Sequence, residues 1–307
     1  MTIAFVSHPE CLAHDMGRYH PEQPARLQAI EEALAASGLG AQIERHEAPL
    51  AEVAHVARAH LIEYIEAVRE AAPERGIVHL DPDTAMCPGT WQAILRAAGA
   101  AVLATDLVAG KRVASAFCAV RPPGHHATRD RAMGFCFFNN VAIAALHALE
   151  AHALERVAIV DFDVHHGNGT EDIFAGDERA IMVSTFQHPY YPYSGTENPA
   201  WNMFNVPLAA GAGGAELRDA VEQVWVPAIE RFRPQMFFFS AGFDAHVEDD
   251  MAALRFVDSD YAWVTRRIRE LAERYAGGRM VSLLEGGYAL AALGRSAVEH
   301  MRVLAGA

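Results

Sequence analysis

The chain alternates between two hydrophobic periods. Short, almost continuously apolar runs rich in β-branched and aromatic residues occur at Ile3–Ser7, Ser115–Val120, Val157–Phe162, Ala180–Thr185, Met236–Ala241 and Met280–Leu284. Unbroken apolarity over so few residues is what a strand shows when both faces of its sheet are covered, as in a parallel sheet under helices. Between these runs lie alanine-rich stretches at Pro24–Ala36, Leu61–Ala72, Thr90–Ala109, Val141–Ala153, Ala215–Phe232, Ser259–Ala276 and Leu290–Val303. Apolar residues there recur every three to four positions, which predicts helices with one buried face. Alternating strand and helix imply right-handed crossovers and a three-layer α/β fold. No internal repeat, Ser/Gly tract or charge block divides the sequence, so residues 1–307 are expected to form one domain.

In an open parallel sheet the binding crevice lies beyond the carboxyl ends of the strands. The polar clusters of this chain fall there. Arg121-Pro-Pro-Gly-His-His126 follows one predicted strand and Asp161-Phe-Asp-Val-His-His-Gly-Asn168 straddles the end of the next. Ser240-Ala-Gly-Phe-Asp244 and Glu285-Gly-Gly-Tyr288 follow two later ones. Four loops therefore bring His, Asp and Tyr to one rim.

Composition narrows the function classes. At 51% apolar and 21% charged residues, with Gly and Pro near average usage, the chain is neither fibrous nor disordered. A net charge of −14 argues against nucleic acid or an anionic membrane as a partner held by bulk charge, and is compatible with cationic ligands. The apolar stretches read as shorter than the roughly 20 residues needed to span a bilayer, so no membrane association is expected. Cys11, Cys87, Cys118 and Cys136 are far apart and read as reduced thiols. The opening MTIAFVSHPE has no basic region followed by a long apolar run. The expected location is the cytoplasm; oligomeric state is left open.

Asp161, Asp163 and His165 are spaced two apart, so along an extended segment all three point to one side. Carboxylates aimed together repel unless a cation compensates. Asp163 and His165 are candidate metal ligands, with Asp244 a third from a distant loop. Two carboxylates and an imidazole around one open position suit a catalytic rather than a structural divalent ion. An isolated Asp-x-His is usually a solvated strand end; Asp244 and the tandem His125–His126 on neighbouring loops change that balance. Two imidazoles beside an activated water suit a general base and an electrostatic or proton-donating partner. Asp161 can orient one ring and Asn168 the other, and Tyr288 offers a phenol to a developing oxyanion.

These blocks, with Gly134-Phe-Cys-Phe-Phe-Asn-Asn140, the continuation to Thr170 and the N-terminal His14-Asp-x-Gly-Arg-x-His-Pro-Glu-x-Pro-x-Arg26, resemble in this order the zinc-dependent histone deacetylase superfamily. The resemblance spans nearly the whole chain. Asn168 and the Arg-x-His-Pro-Glu segment are similar to class II members and their bacterial relatives, among them acetylpolyamine amidohydrolases. The implied architecture is the arginase–deacetylase fold, an eight-stranded parallel sheet flanked by helices. The resemblance implies that Asp163, His165 and Asp244 hold Zn2+, or Fe2+ in the cell. His126 would be general base and acid, with His125, bonded to Asp161, as its electrostatic partner. Asn168 would support His126, and Tyr288 would polarise the amide carbonyl. A structural K+ would sit among Asp161, Asp163, His165, Ser184 and Thr185. Gly134, Phe135 and Tyr191 would line an acyl-lysine tunnel, with Gly286, Gly287 and Arg26 around the Gly-Gly-Tyr turn. Asp81 or Asp83 would meet the substrate backbone. The implied activity is hydrolytic removal of an acetyl or other acyl group from an N-acyl-lysine peptide or protein, or from a related acylated amine.

Three other readings compete. A dimanganese ureohydrolase needs a carboxylate two residues past His165 and another past Asp244, where this chain has Gly167 and His246. A catalytically weak acyl-lysine reader conflicts with the retention of Tyr288. A deacetylase of polyamines or other small molecules can carry a gatekeeping Glu where Met251 stands; Glu248, Asp249 and Asp250 just before it would receive a cationic amine or, as the preferred reading, form a solvated loop.

Overall fold

The computed structural model describes residues 2–306. Strands β1 (Ile3–Ser7) and β2 (Ile43–Glu47) come first, followed by a small antiparallel hairpin of β3 (Val78–Asp81) and β4 (Thr84–Met86). Then come β5 (Ser115–Cys118), β6 (Val157–Asp161), β7 (Ala180–Gln187), β8 (Met203–Leu208), β9 (Met236–Ala241) and β10 (Met280–Leu284). Apart from the hairpin they form one eight-stranded sheet in the order β2-β1-β5-β10-β9-β6-β7-β8, all pairs parallel. This is the expected arginase–deacetylase architecture.

The helices are α1 (Ala25–Ala36), α2 (Val53–Val56), α3 (Ile62–Ala71), α4 (Thr90–Ala109), α5 (Asn140–Ala151), α6 (Asn168–Phe174), α7 (Gly214–Ala220), α8 (Val226–Phe232), α9 (Asp258–Ala276) and α10 (Leu290–Leu304). The helix expected over 215–232 is continuous but passes through a π turn at Val221–Trp225. Pro227, two residues past that turn, has no N–H for the regular ladder. Contrary to the sequence reading, α4 is long and apolar enough to cross a membrane by length and composition. Here it is a core helix, packed on α5, β5 and β1 with 72% of its most apolar window buried.

Strands β5, β10, β9 and β6 are neighbours at the centre of the sheet, and being parallel they end on one rim. The chain leaves β5 for β6, on the far side of two strands filled in later by β9 and β10. A crevice opens where the strand order reverses in this way. The four polar loops follow these four strands, so the topology alone gathers them.

Candidate active site

Strand β6 ends at Asp161, opposite Ser184 of β7 and Ser240 of β9. Beyond it the chain bends, so strand alternation is not what brings Asp161, Asp163 and His165 together. Short turns closed by the aspartates do so instead. Asp161 Oδ1 accepts the N–H of Asp163 (3.1 Å), and Asp163 Oδ1 accepts that of His165 (2.9 Å). Asp163 Oδ2 accepts the N–H of Gly286 (2.8 Å), and Asp244 Oδ1 that of Val164 (2.9 Å), which tie the loops after β6, β9 and β10 into one unit. His165 Nδ1 then stands 2.9 Å from Asp163 Oδ1 and 3.3 Å from Asp244 Oδ2. Donor atoms of these three buried residues all lie within 4.8 Å of one another. Gly242 and Gly286 leave the space: a Cβ at Gly242 would overlap the Asp163 carboxylate, and one at Gly286 would overlap that of Asp244.

The donor set fits a divalent cation. Asp244 Oδ2 is buried with no hydrogen-bond partner. Burial and the neighbouring Asp163 carboxylate push the Asp244 carboxyl up to about 6. Burial alone would lower His165, yet Asp163 and Asp244 outweigh it and raise the imidazole to about 9. The site draws positive charge inward, and one imidazole with two carboxylates matches the ligand chemistry of Zn2+ or Fe2+. Ser184 and Thr185 lie buried beside Asp161; Ser184 Oγ donates to Asn205 Oδ1 (3.0 Å), and Thr185 Oγ1 has no partner.

The His125 and His126 rings lie side by side, centroids 4.0 Å apart. His125 Nδ1 faces Asp161 Oδ2 at 3.0 Å, and His126 Nδ1 faces Asn168 Oδ1 at 2.8 Å. An amide oxygen only accepts, so His126 carries its proton on Nδ1 and keeps the Nε2 lone pair free. The two rings are pushed apart in basicity. For His125, burial is outweighed by Asp163 and Asp161, which raise it to about 10. For His126, burial and the charges of His125 and His165 hold it well below the ordinary value.

A residue that sequence reasoning assigned no role fixes this pair. Glu285 is fully buried and accepts the N–H groups of Gly124 (2.6 Å) and His125 (3.1 Å), pinning the Pro-Pro-Gly turn. Burial pushes its carboxyl up to about 7. Its position at the head of the Gly-Gly-Tyr block was the available signal.

The crevice is a narrow cavity of about 140 Å3 whose wall includes His125, His126, His165, Gly134, Phe135, Gly286 and Tyr288. Tyr191 stands edge-on to His126 with centroids 5.3 Å apart, and Tyr190 stacks on His165 at 5.6 Å. The Tyr190 hydroxyl donates to the Met251 carbonyl, and both residues line the cavity. Gly134 and Phe135 both adopt left-handed φ (57° and 68°), which aims the Phe135 ring at Tyr288, 6.0 Å away. Of the two hairpin acids, Asp83 lines the cavity and accepts the N–H of Gly134 (3.1 Å); Asp81 instead accepts the N–H of Asp83.

Two residues expected around the Gly-Gly-Tyr turn are found there, outside the cavity lining. Arg26 and Gly287 lie behind the wall of this cavity. Arg26 is completely buried, donates to the carbonyls of Gly287 (2.7 Å) and Glu285, and holds its guanidinium 4.9 Å from the Tyr288 ring centre. Glu22, shared by Arg26 and Arg121, anchors it; burial would raise that carboxyl, but the two guanidiniums bring it down to about 2. The acidic trio also departs from a solvated loop. Asp249 is buried and accepts the N–H groups of Met251, Tyr288 and Ala289, and Glu248 pairs with Arg295 at 2.6 Å.

Residues 20–304 match the histone deacetylase domain family. The chain belongs to the histone deacetylase family. It is 38% identical to a histone deacetylase-like amidohydrolase of Pseudomonas aeruginosa, over 88% of this chain and 72% of that one. It is 36% identical to a probable deacetylase of Archaeoglobus fulgidus, over 94% and 82%. The crystal structure of the HDA15 HD domain superposes with a TM-score of 0.93 at 32% identity, covering all of this chain and 90% of the other. This deacetylase-family chain thus shares its fold with a solved deacetylase-family domain.

Proposed function

We propose that the protein hydrolyses the acyl amide of an N-acetyl-lysine side chain, using a divalent ion, Zn2+ in the first instance, held by Asp163, His165 and Asp244. When bound, the ion supplies a Lewis acid that polarises the acyl carbonyl and makes a water more acidic. The chain's own groups do the rest. His126 Nε2 takes the proton of the attacking water, because Asn168 holds the other nitrogen protonated. The Tyr288 phenol, kept protonated by burial, donates to the carbonyl oxygen as negative charge develops there. His125, held protonated by Asp161, stabilises that charge from the side. His126 then passes its proton to the leaving amine. K+ at Asp161, Asp163, His165, Ser184 and Thr185 would brace this loop from behind.

The observation that carries this reading is the split between two adjacent histidines, one tied to a carboxylate and one to an amide. It supports a single-base hydrolase over a passive reader. A two-metal ureohydrolase is disfavoured because a side chain at Gly167 would overlap Asp161 Oδ2, and His246 turns to Asp258 (3.2 Å).

The substrate class is inferred from the rim. Asp249 and Glu248 are spent on Tyr288 and Arg295, and the residue of their loop that faces the cavity is Met251, so on this side, across from Asp83, an apolar lip meets the chain that bears the acyl group. The cavity is well under the several hundred Å3 of a typical small-molecule pocket, which favours a slender acetyl-lysine over a bulky metabolite. Steady-state kinetics on acetyl-lysine peptides, longer acyl-lysines and N-acetylpolyamines test this, with chelation and Zn2+ or Fe2+ restoration identifying the ion. Acetyl-lysine turnover is expected, reduced about 10²- to 10³-fold by Tyr288→Phe. Equal turnover in that variant overturns the mechanism, and a preference for polyamines overturns the substrate reading.

A further inference from the structure

The proposed reaction uses His125, His126 and His165 of the sixteen histidines. Two of the others meet at the opposite end of the molecule. Helices α4 and α5 return from the catalytic rim side by side, so their C-terminal ends lie at the far edge of the sheet. Asp106 is in the last turn of α4, His147 in the last turns of α5, and His152 is the residue on which α5 ends. Nε2 of His147 and Nε2 of His152 each stand 2.7 Å from the same atom, Asp106 Oδ1. Their rings are 5.5 Å apart and nearly perpendicular, and the three donor atoms lie within 4.8 Å of one another.

We propose that Asp106, His147 and His152 form a second, non-catalytic site for a first-row divalent ion such as Zn2+, clamping α4 to α5 through two imidazole nitrogens and one carboxylate oxygen. The donor types are those Zn2+ prefers, and solvent completes the shell. The floor is fixed while the mouth is open: the side chains of His147, His152 and Asp106 are 7%, 26% and 49% exposed. Ligands at about 2.1 Å from a tetrahedral ion are about 3.4 Å apart, so loading requires the half-exposed Asp106 carboxylate to withdraw by less than an ångström. Two helix C-termini converge here, and their partial negative charge favours a cation. The nearby cation Arg58 is neutralised by Glu150 at 2.9 Å. His55 stands edge-on to His147, centroids 5.5 Å apart; with its Nδ1 accepting the Glu52 N–H its ring proton sits on Nε2, so it packs beside the site without adding a ligand.

The test is metal content per chain after dialysis of the holoenzyme against micromolar free Zn2+. Wild type is expected to hold two ions, and the Asp106→Asn/His152→Ala pair one, with deacetylase activity kept within twofold. Added Zn2+ should raise the melting temperature of wild type that carries only the catalytic ion and leave that of the double variant unmoved. His152→Gln, a change at a part-exposed helix end, provides a milder second variant whose affinity for the second ion should fall at least tenfold. One ion in wild type, or two in the double variant, overturns the site; loss of activity along with the second ion overturns its non-catalytic character.

Discussion

Asp249 Oδ2 accepts the backbone N–H of Tyr288 at 2.6 Å and that of Ala289 at 2.9 Å. The carboxylate is buried and caps the Gly-Gly-Tyr turn at the point from which the phenol projects into the cavity. Asp249 is a positioning residue, acting on the reaction only through Tyr288. Hydrogen bonds to a charged group are worth about 1.5–3 kcal/mol each, and removing the side chain also frees the N–H of Met251, leaving three N–H groups unpaired. Asp249→Ala is therefore expected to lower kcat about ten- to a hundredfold while moving KM less than about threefold and leaving metal content unchanged. Asp249→Asn, whose amide oxygen can still accept, should recover much of kcat. A change confined to KM, or one that tracks metal loss, would contradict the assignment.

The site was more legible in the sequence than its supports were. The central strands announce themselves as apolar runs because helices cover both faces, and the ligand, histidine and tyrosine blocks follow them directly. Strands β2 and β8 were missed because they are sheet edges: Ile43-Glu-Arg-His-Glu47 is mostly exposed and Met203–Leu208 contains Pro207, so neither carries the core signature. Asp249 read as one member of an acidic loop, since sequence does not say which carboxylate turns inward. Arg26 and Glu285 were placed near the site by resemblance and motif, but their bonds to backbone groups of Gly287, Gly124 and His125 exist only once the chain has folded.

Asn168 sets the basicity of His126. Burial and two neighbouring imidazoles hold His126 well below the ordinary histidine value, and a neutral amide does little to oppose them. A carboxylate at 168 would stabilise the imidazolium, so a larger fraction of His126 would be protonated at any given acidic pH. Asn168→Asp is expected to shift the acidic limb of the kcat/KM–pH profile to higher pH, reducing activity below neutrality and less so above it. An acidic limb that does not move would show that His126 is not the group titrating there.

His300 makes acid stability readable. It lies in the core among Phe117, Phe162, Phe239 and Phe243, with Nδ1 2.6 Å from Thr265 Oγ1 and Nε2 2.8 Å from Ser282 Oγ. Thr265 Oγ1 donates to the Tyr261 carbonyl, so it accepts from His300 Nδ1–H, and Nε2 in turn accepts from Ser282: the neutral ring is fully satisfied. Burial brings its pKa down to about 3 from 6.5. A depressed histidine contributes stability that is complete above 6.5 and is lost as pH falls toward the folded value, because the unfolded chain takes up the proton first. The loss is about 1.4 kcal/mol per pH unit inside that window. His14 and His60, each brought down to about 4 by burial, act in the same direction, whereas Glu285 and Asp244, raised to about 7 and about 6, act in the opposite one. The net slope of the wild type is thus a sum of opposed terms, and the informative quantity is its difference from His300→Gln, in which the other groups cancel. Urea denaturation between pH 6.5 and about 5 should find the variant less stable than wild type at the upper end, where it lacks the imidazole's packing. The gap should then close by about 1.4 kcal/mol for each pH unit of acidification. Parallel stability curves would mean that His300 takes no part in the acid response.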